Sequence, residues 1–257
     1  MSERYAERVN RAMDHVLAHL GEPLKLEVVS GIAGFSPFHF HRIFQAAVGE
    51  TLLEFVKRQR LERALKLMSH APQRSLTEIA HECGFSSSSD FSRNFKSRYG
   101  VPPSAFDVAT WAASKRETMQ DVLLGEGERT MFERLASGEN PDGFEATVRR
   151  LPPRTVAYVR VHDPYRGGVT EAFDRLLAWA RECGAEGGQW LGYMWEHPDF
   201  VALEDCRYDA AVVVDEVRPE GDVCRYDFPA MSVAEVTIRG GVDLEQRALD
   251  WLYGTWL

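Results

Sequence analysis

Residues 34–44 read GFSPFHFHRIF and residues 84–95 read GFSSSSDFSRNF; the second stretch repeats the first with one residue inserted. Gly34, Phe35 and Ser36 recur as Gly84, Phe85 and Ser86, and Phe40, Arg42, Phe44 and Gly49 recur as Phe91, Arg93, Phe95 and Gly100. Upstream, Leu26 and Val29 match Leu76 and Ile79. A period of about fifty residues means one supersecondary unit used twice. Each copy reads as a short apolar helix, a turn carrying glycine, and a second helix opened by serine and closed by glycine. A serine oxygen accepts from the unpaired N–H groups at a helix start, and glycine takes the left-handed conformation at its end without a Cβ penalty. Helix, glycine turn, helix is the helix-turn-helix pattern.

Working outward, Tyr5, Val9, Met13, Val16, Leu17 and Leu20 mark one face of a helix ahead of the first copy, which Gly21 and Pro23 end. Between the copies, Leu53, Val56, Leu61, Ala64, Leu65 and Met68 stripe a connecting helix from about Thr51 to Ser69. At 1.5 Å per residue that rod is roughly 28 Å long. Two reading helices on one face of B-DNA stand one turn, ~34 Å, apart. A single chain can thus imitate a symmetric dimer.

Beyond Val108 large apolar residues thin out, and the turn-rich stretch SGENPDG at 137–143 closes a segment read as a linker with some helix from Trp111 to Leu135. From residue 146 strands and helices alternate. Ala157, Val159 and Val161 alternate with Val156, Tyr158 and Arg160; Phe173, Leu176, Leu177 and Ala180 follow at helical spacing; Ala210 to Val214 is a continuous apolar strand. A second repeat appears, with Gly167-Gly168-Val169-Thr170 returning as Gly240-Gly241-Val242-Asp243. Thr170 and Asp243 are placed to N-cap helices, and two similar halves sharing a sheet are expected. The fold class is therefore multidomain: an all-α double helix-turn-helix domain at 1–107, a partly helical linker at 108–145, and an α+β domain of two similar β-α-β halves at 146–257.

The net charge of −9 argues, taken whole, against nucleic acid. Its distribution reverses that reading. Residues 1–110 carry 14 Lys and Arg against 12 Asp and Glu, and the remainder carries 16 against 27, so the acidity lies in the second part. Local distribution rather than total charge governs binding, and a near-neutral first part can present a basic face to phosphates. Cys83, Cys183, Cys206 and Cys224 are scattered without C-x-x-C, which argues for buried free thiols over a zinc knuckle or disulfide framework. The polar start, MSERYAERVN, lacks the apolar core of a secretory signal, and no apolar run is long enough to span a bilayer. The expectation is a cytoplasmic protein without membrane contact.

Both copies carry a family resemblance. Gly34 to Phe44, Ile79-Ala80-x-x-Cys83-Gly84-Phe85, Phe91-Ser92-Arg93-x-Phe95-Lys96 and Gly100-Val101-Pro102-Pro103 make the first 106 residues resemble the DNA-binding domain of AraC/XylS-type regulators. That resemblance implies seven helices and major-groove insertion by the second helix of each unit. Leu151-Pro152-Pro153-Arg154-x-Val156-Ala157-Tyr158, Phe173-x-x-Leu176-x-Ala178-Trp179-Ala180, Gly192-Tyr193 and Arg207-Tyr208-Asp209-Ala210-Ala211 make residues 146–257 look like the gyrase-inhibitor-like effector domain of Rob-type regulators. This second resemblance implies a pocket between the two halves for amphiphilic, often cationic, small molecules. Members continue past the last helix into a strand, whereas this sequence stops at Leu257.

On the first reading helix Phe38, His41 and Arg42 share a face at i, i+3 and i+4, and the resemblance turns that face to the groove. Arg42 suits guanine O6 and N7, His41 a base or phosphate, and Phe38 a thymine methyl; the competing readings are a surface ion pair for Arg42 and a core position for Phe38. On the second helix the matching positions are Ser89, Asp90 and Arg93, where a carboxylate repels phosphate yet can accept from cytosine N4. Ser36, Ser87 and the rest of the 86–89 serine run read either as DNA contacts or as helix caps, and Lys96 as a phosphate contact. The first helix is expected to bind more strongly. His39 and His41 point about 200° apart and cannot share an ion, so no metal site is read. In the second domain Tyr165, Tyr193, Trp195, Phe200 and Tyr208 form either an aromatic ligand wall or ordinary core.

These readings favour a sequence-specific DNA-binding transcription regulator modulated by a small ligand. The expected partners are double-stranded DNA, a small-molecule effector and RNA polymerase. No catalytic triad, nucleophile elbow or cofactor motif is present, so no enzyme or cofactor is expected. The alternatives are a second domain acting as a small-molecule hydrolase, or as an acidic protein-interaction module.

Overall fold

Serine and threonine caps set the helix starts of the first 107 residues. In this computed structural model, which describes residues 3–124, 135–136 and 138–256, Ser36 caps helix α3 (Pro37–Val48) and Ser87 caps α6 (Ser88–Tyr99). Thr51 and Ser75 form capping boxes with Glu54 and Glu78 at the starts of α4 (Leu52–His70) and α5 (Leu76–Glu82). Gly49 and Gly100 close α3 and α6 in the left-handed conformation. The remaining helices of the module are α1 (Glu3–Ala18) and α2 (Leu26–Ile32), followed by α7 (Val108–Leu124). Of the helix expected from Trp111 to Leu135, the part up to Leu124 is helical as α7, and residues 125–134 lie outside the described residues.

α4 is continuous over 19 residues, roughly 28 Å by helical rise. Its first half packs Leu52, Phe55 and Val56 against Val9, Met13, Val16, Val29, Phe40 and Phe44. Its second half packs Leu61, Ala64 and Leu65 against Ile79, Ala80, Phe85, Phe91 and Phe95. Each helix-turn-helix unit thus closes its core on a different half of one rod. The second turn tolerates only glycine: Gly84 has φ +84°, and a Cβ there would collide with the Leu20 carbonyl.

The strands are β1 (Ala146–Leu151), β2 (Arg154–His162), β3 (Trp190–Met194), β4 (Arg207–Val214), β5 (Cys224–Phe228) and β6 (Met231–Val236), with helices α8 (Val169–Glu182) and α9 (Val242–Trp251). By contacts the chain forms two compact units, residues 1–115 with 155–226, and residues 116–154 with 227–257. In the first, the sheet runs β3-β4-β2-β5, with β4 antiparallel to both its neighbours. Ala157, Val159, Val161, Ala210 and Val212 face α8 through Ala172, Leu176, Trp179 and Ala180. The opposite face also goes inward, and residues 156–161 of β2 are all buried. A strand buried on both faces reads as a continuous apolar run, and the charged residues inside this one therefore need partners.

In the second unit β1 and β6 pair antiparallel from Ala146↔Val236 to Leu151↔Met231, and Phe144, Ala248 and Trp251 form a small core. Arg116 clasps Asp250 at 2.8 and 2.9 Å and Arg247 clasps Asp142 at 2.8 and 3.0 Å. The single shared sheet that was expected is two sheets among the described residues, with β6 pairing with β1 apart from the four-stranded sheet. The expected side-chain caps also differ. α8 follows Gly168 and α9 follows Gly241, neither with a side-chain cap, and Thr170 falls within the first turn of α8.

Three of the four cysteines are buried, but Cys183 lies exposed where α8 ends, which corrects the expectation of four buried thiols. Burial pushes the Cys83, Cys206 and Cys224 thiols up to about 12, and the thiolate is the reactive form. At pH 8 a thiol-specific chromogenic reagent is expected to titrate one fast thiol per chain, Cys183, and the other three only on unfolding. A second fast thiol would contradict this packing.

Candidate functional site

α3 is held from behind by arginines of α1. Arg8 donates from Nε to the Ala33 carbonyl at 2.6 Å and from Nη2 to that of Gly34, and stacks on the Phe35 ring at 3.5 Å. Arg11 donates to the Ile32 carbonyl at 2.9 Å. With Phe40 and Phe44 turned into the core, the opposite face of α3 is outward. Phe38 is 76% exposed, which rejects the core reading for it, and His41 and Arg42 are exposed beside it. Arg42 has no ion-pair or hydrogen-bond partner among the described residues, so its charge is not spent within the chain. Ser36 is the α3 cap, its oxygen accepting from the His39 N–H at 3.4 Å.

α6 presents a more occupied face. Asp90 accepts from the Ser86 hydroxyl at 3.0 Å, from Asn94 Nδ2 at 2.9 Å and from Arg93 Nη2 at 3.2 Å. Burial works to raise its carboxyl, but the Ser86 and Arg93 bonds hold it below the usual carboxylate range. Ser87 caps the helix, accepting from the Asp90 N–H at 3.1 Å, and the Ser88 hydroxyl donates to Thr77 at 3.0 Å. Ser89, Arg93 and Lys96 are exposed. One hollow of about 860 Å³ is lined by His41 of α3, by Ser86 and Asp90 at α6, and by Leu52, Leu53 and Val56 of α4. His41 of α3 and Asp90 of α6 thus border one hollow against the rod.

The other face of the β3-β4-β2-β5 sheet meets the helical module. Arg160 donates from Nε and Nη2 to Asp209 at 2.8 and 2.7 Å, and Nη2 also reaches Asp14 of α1 at 2.8 Å. The Tyr158 hydroxyl donates to Asp14 at 2.6 Å and Trp195 Nε1 to Asp209 at 2.7 Å. Burial pushes the Tyr158 hydroxyl well above its usual value, which keeps it a donor. Beside this cluster Arg207 binds Glu196 through Nε at 2.8 Å and its backbone N–H at 2.9 Å, and faces the Phe55 ring of α4. Arg58 of α4 joins Glu62 of the same helix at 3.1 Å and Glu50, just ahead of it, at 2.6 Å.

The five aromatics read as a ligand wall do not line one pocket. Tyr193 and Trp195 share the face turned to α1, their rings 5.6 Å apart. Tyr208 sits on the opposite face against Phe173 and α8, because residues adjacent along a strand alternate sides. Phe200 is buried in the core of the second helix-turn-helix unit, with Tyr165 packed against the same cluster. The Asp14, Tyr158, Arg160 and Asp209 cluster was missed from sequence. Its signal was Arg160 and Asp209 set among the apolar residues of β2 and β4, at positions that the register places opposite one another.

Two helix-turn-helix units, each closing its core on one half of an unbroken helix, define the double helix-turn-helix class. A family model described as a helix-turn-helix domain matches residues 29–107, and one described as a GyrI-like small molecule binding domain matches residues 144–257. The probable transcription factor PqrA of Proteus vulgaris is 35% identical over 85 residues, 33% of this chain and 69% of that protein. The uncharacterized HTH-type transcriptional regulator YbfP of Bacillus subtilis (strain 168) is 30% identical over 148 residues, 57% of this chain and 48% of that protein. A crystal structure of an AraC-type transcriptional regulator from Chromobacterium violaceum aligns at 26% identity and TM-score 0.36, covering 38% of this chain and 86% of that one. This chain belongs to the AraC-type helix-turn-helix family and carries a GyrI-like domain after that module. It spans about half or less of the length of several curated relatives that it matches.

Breaking a buried charge cluster by removing one partner leaves the other charge unpaired, which costs about 3–5 kcal/mol. Arg160→Ala, which strands the Asp14 and Asp209 carboxylates, is expected to lower unfolding free energy by about that amount in urea titration at pH 7. A loss below about 1 kcal/mol, the range of an exposed ion pair, would show that Arg160 does not hold these carboxylates in solution.

Proposed function

We propose that this chain is a sequence-specific DNA-binding transcription regulator of the cytoplasm, acting by binding rather than by turnover. The observation that carries the reading is the outward face of α3, where Phe38, His41 and Arg42 stand exposed and Arg42 lacks any partner within the described chain. Arg42 reads guanine, His41 a base or phosphate, and Phe38 a thymine methyl. Ser36 contributes at the start of α3. α6 reads fewer bases: Asp90 is committed to Ser86, Asn94 and Arg93, and Arg93 is tethered in turn. There Ser87, Ser89, Arg93 and Lys96 meet phosphate, with Asp90 setting the pose of Arg93.

The GyrI-like match supports a small-molecule effector acting on this DNA reader, and RNA polymerase is the protein partner by which a bound regulator acts. No helix among the described residues is long and apolar enough to cross a membrane.

Fluorescence anisotropy on promoter fragments at two salt concentrations tests the assignment. Saturable preference for one fragment with affinity falling as salt rises is expected, and equal weak binding to all fragments would overturn it. Arg42→Ala is expected to cost about 1–3 kcal/mol and relax preference at one base pair, whereas Lys96→Ala weakens all sequences alike and lowers the salt slope by about 1. Arg93→Ala is expected to cost less than Arg42→Ala, and the reverse order would overturn the assigned asymmetry.

A further inference from the structure

The hollow bordered by α3, α4 and α6 measures about 860 Å³, within the roughly 300–1,000 Å³ that small-molecule sites occupy. Its apolar surface comes from Leu26 of α2, from Leu52, Leu53 and Val56 of α4, and from Phe85 at the second turn. Leu53 is 63% exposed, and it continues this concave apolar surface rather than standing alone. Contiguous apolar area left in water is area that an apolar body stabilises by covering. Every lining residue belongs to the first compact unit.

A cation in this hollow has no counter-ion. Arg60 donates from Nε to the Leu20 carbonyl at 2.9 Å and from Nη2 to the Glu22 carbonyl at 2.7 Å, neutral acceptors that hold the guanidinium without cancelling its charge. It makes no ion pair among the described residues, whereas Arg58, two residues earlier on α4, makes two. Gly84 packs against the guanidinium so closely that a Cβ would stand 2.9 Å from it. Partial burial lowers the Arg60 guanidinium, the sign of a positive charge short of compensation. The two carboxyls at the hollow are engaged elsewhere. Asp90 is held by Ser86, Arg93 and Asn94, and the exposed Glu22 acts on His15 of α1. Lys25 adds an exposed ammonium without an ion pair among the described residues, and His41 and His81 add ring N–H donors. Salt screens the exposed Glu22 more than the half-buried Arg60, so the hollow favours negative charge.

We infer that this hollow takes a small monoanion with an apolar body, its charged end on Arg60 and Lys25 and its body on Leu26, Leu53 and Phe85, and that the occupant competes with DNA. His41 and Ser86, which belong to the two reading elements, are part of the same lining, so ligand and duplex claim the same atoms. The site lies in the DNA-reading module itself, apart from the GyrI-like domain. The competition rests on the reading of α3 and α6 as DNA readers; the binding does not.

Titration calorimetry of the full chain with 2-naphthylacetate, 2-(2-naphthyl)ethylammonium and acetate tests the site. Naphthylacetate is expected to bind at least about tenfold more tightly than either of the others. Leu53→Glu, at an exposed position, is expected to weaken naphthylacetate about tenfold or more, and Arg60→Gln, which keeps a donor for the turn carbonyls, to remove the preference for the anion. Should Arg60→Gln not fold by circular dichroism, Leu53→Glu decides. Unchanged naphthylacetate binding in the folded variants would overturn the location, and equal or tighter binding of the ammonium or of acetate would overturn the ligand class. No binding of naphthylacetate by the unsubstituted chain would overturn the proposal outright. In anisotropy on a promoter fragment, naphthylacetate at its own dissociation constant is expected to raise the apparent Kd for DNA about twofold, and an unchanged Kd would overturn the competition. Promoter preference measured without the probe keeps the two readings apart: its absence overturns the regulator assignment while calorimetry still decides the site, and its presence beside absent naphthylacetate binding overturns the site alone.

Discussion

A guanidinium buried to 1% exposure needs carboxylates and hydrogen bonds around it, because the cost of removing an unpaired charge from water exceeds what most packing supplies. Arg160 meets that need by drawing on two parts of the chain, Asp209 from the neighbouring strand and Asp14 from the first helix, 146 residues away in sequence. Tyr158 then donates to the second oxygen of Asp14, and Trp195 shares an oxygen of Asp209 with Arg160. The position of α1 against the sheet follows from this arrangement. With α1 fixed, its Arg8 and Arg11 fix the turn carbonyls that aim α3.

The consequence is a fusion of the helix-turn-helix module with the strands that follow it. Cores of the two helix-turn-helix units meet on α4, and the second also takes in Phe200, Val201 and Cys206 from the segment between β3 and β4. Arg207 faces Phe55 on the same helix. Packed interiors respond to a local change by shifting between discrete arrangements rather than deforming smoothly. A disturbance at the sheet face therefore has a short physical route to α4, through side chains that touch.

Much of the helical module was legible because its determinants are local. Ser36, Thr51, Ser75 and Ser87 cap helices within four residues of themselves, Gly84 fixes a turn by its own φ, and the 40/44 and 91/95 phenylalanine pairs announce their buried face by spacing. The alternation in β2 likewise separated Ala157, Val159 and Val161 from Val156, Tyr158 and Arg160. What alternation does not encode is the neighbour on the second face. Nothing local links Asp14 to Arg160, so the helical module and the sheet were read as separate bodies joined by a linker. The aromatic set failed for the same reason: Tyr193 and Tyr208 are similar residues on adjacent strands, but register places them on opposite faces of the sheet. At Asp90 the sequence displays the charge but not the donors of Ser86, Arg93 and Asn94 that bind it.

Residue-resolved native-state hydrogen exchange bears most directly on the claim that the helix-turn-helix module and the four-stranded sheet are one cooperative structure. Opening free energies of the α4 amides around Leu65 and the β2 amides around Val159 are expected to agree within about 0.5 kcal/mol and to fall together in mild denaturant. Protection of the sheet that persists after the α4 amides have exchanged, with free energies more than about 2 kcal/mol apart, would contradict it.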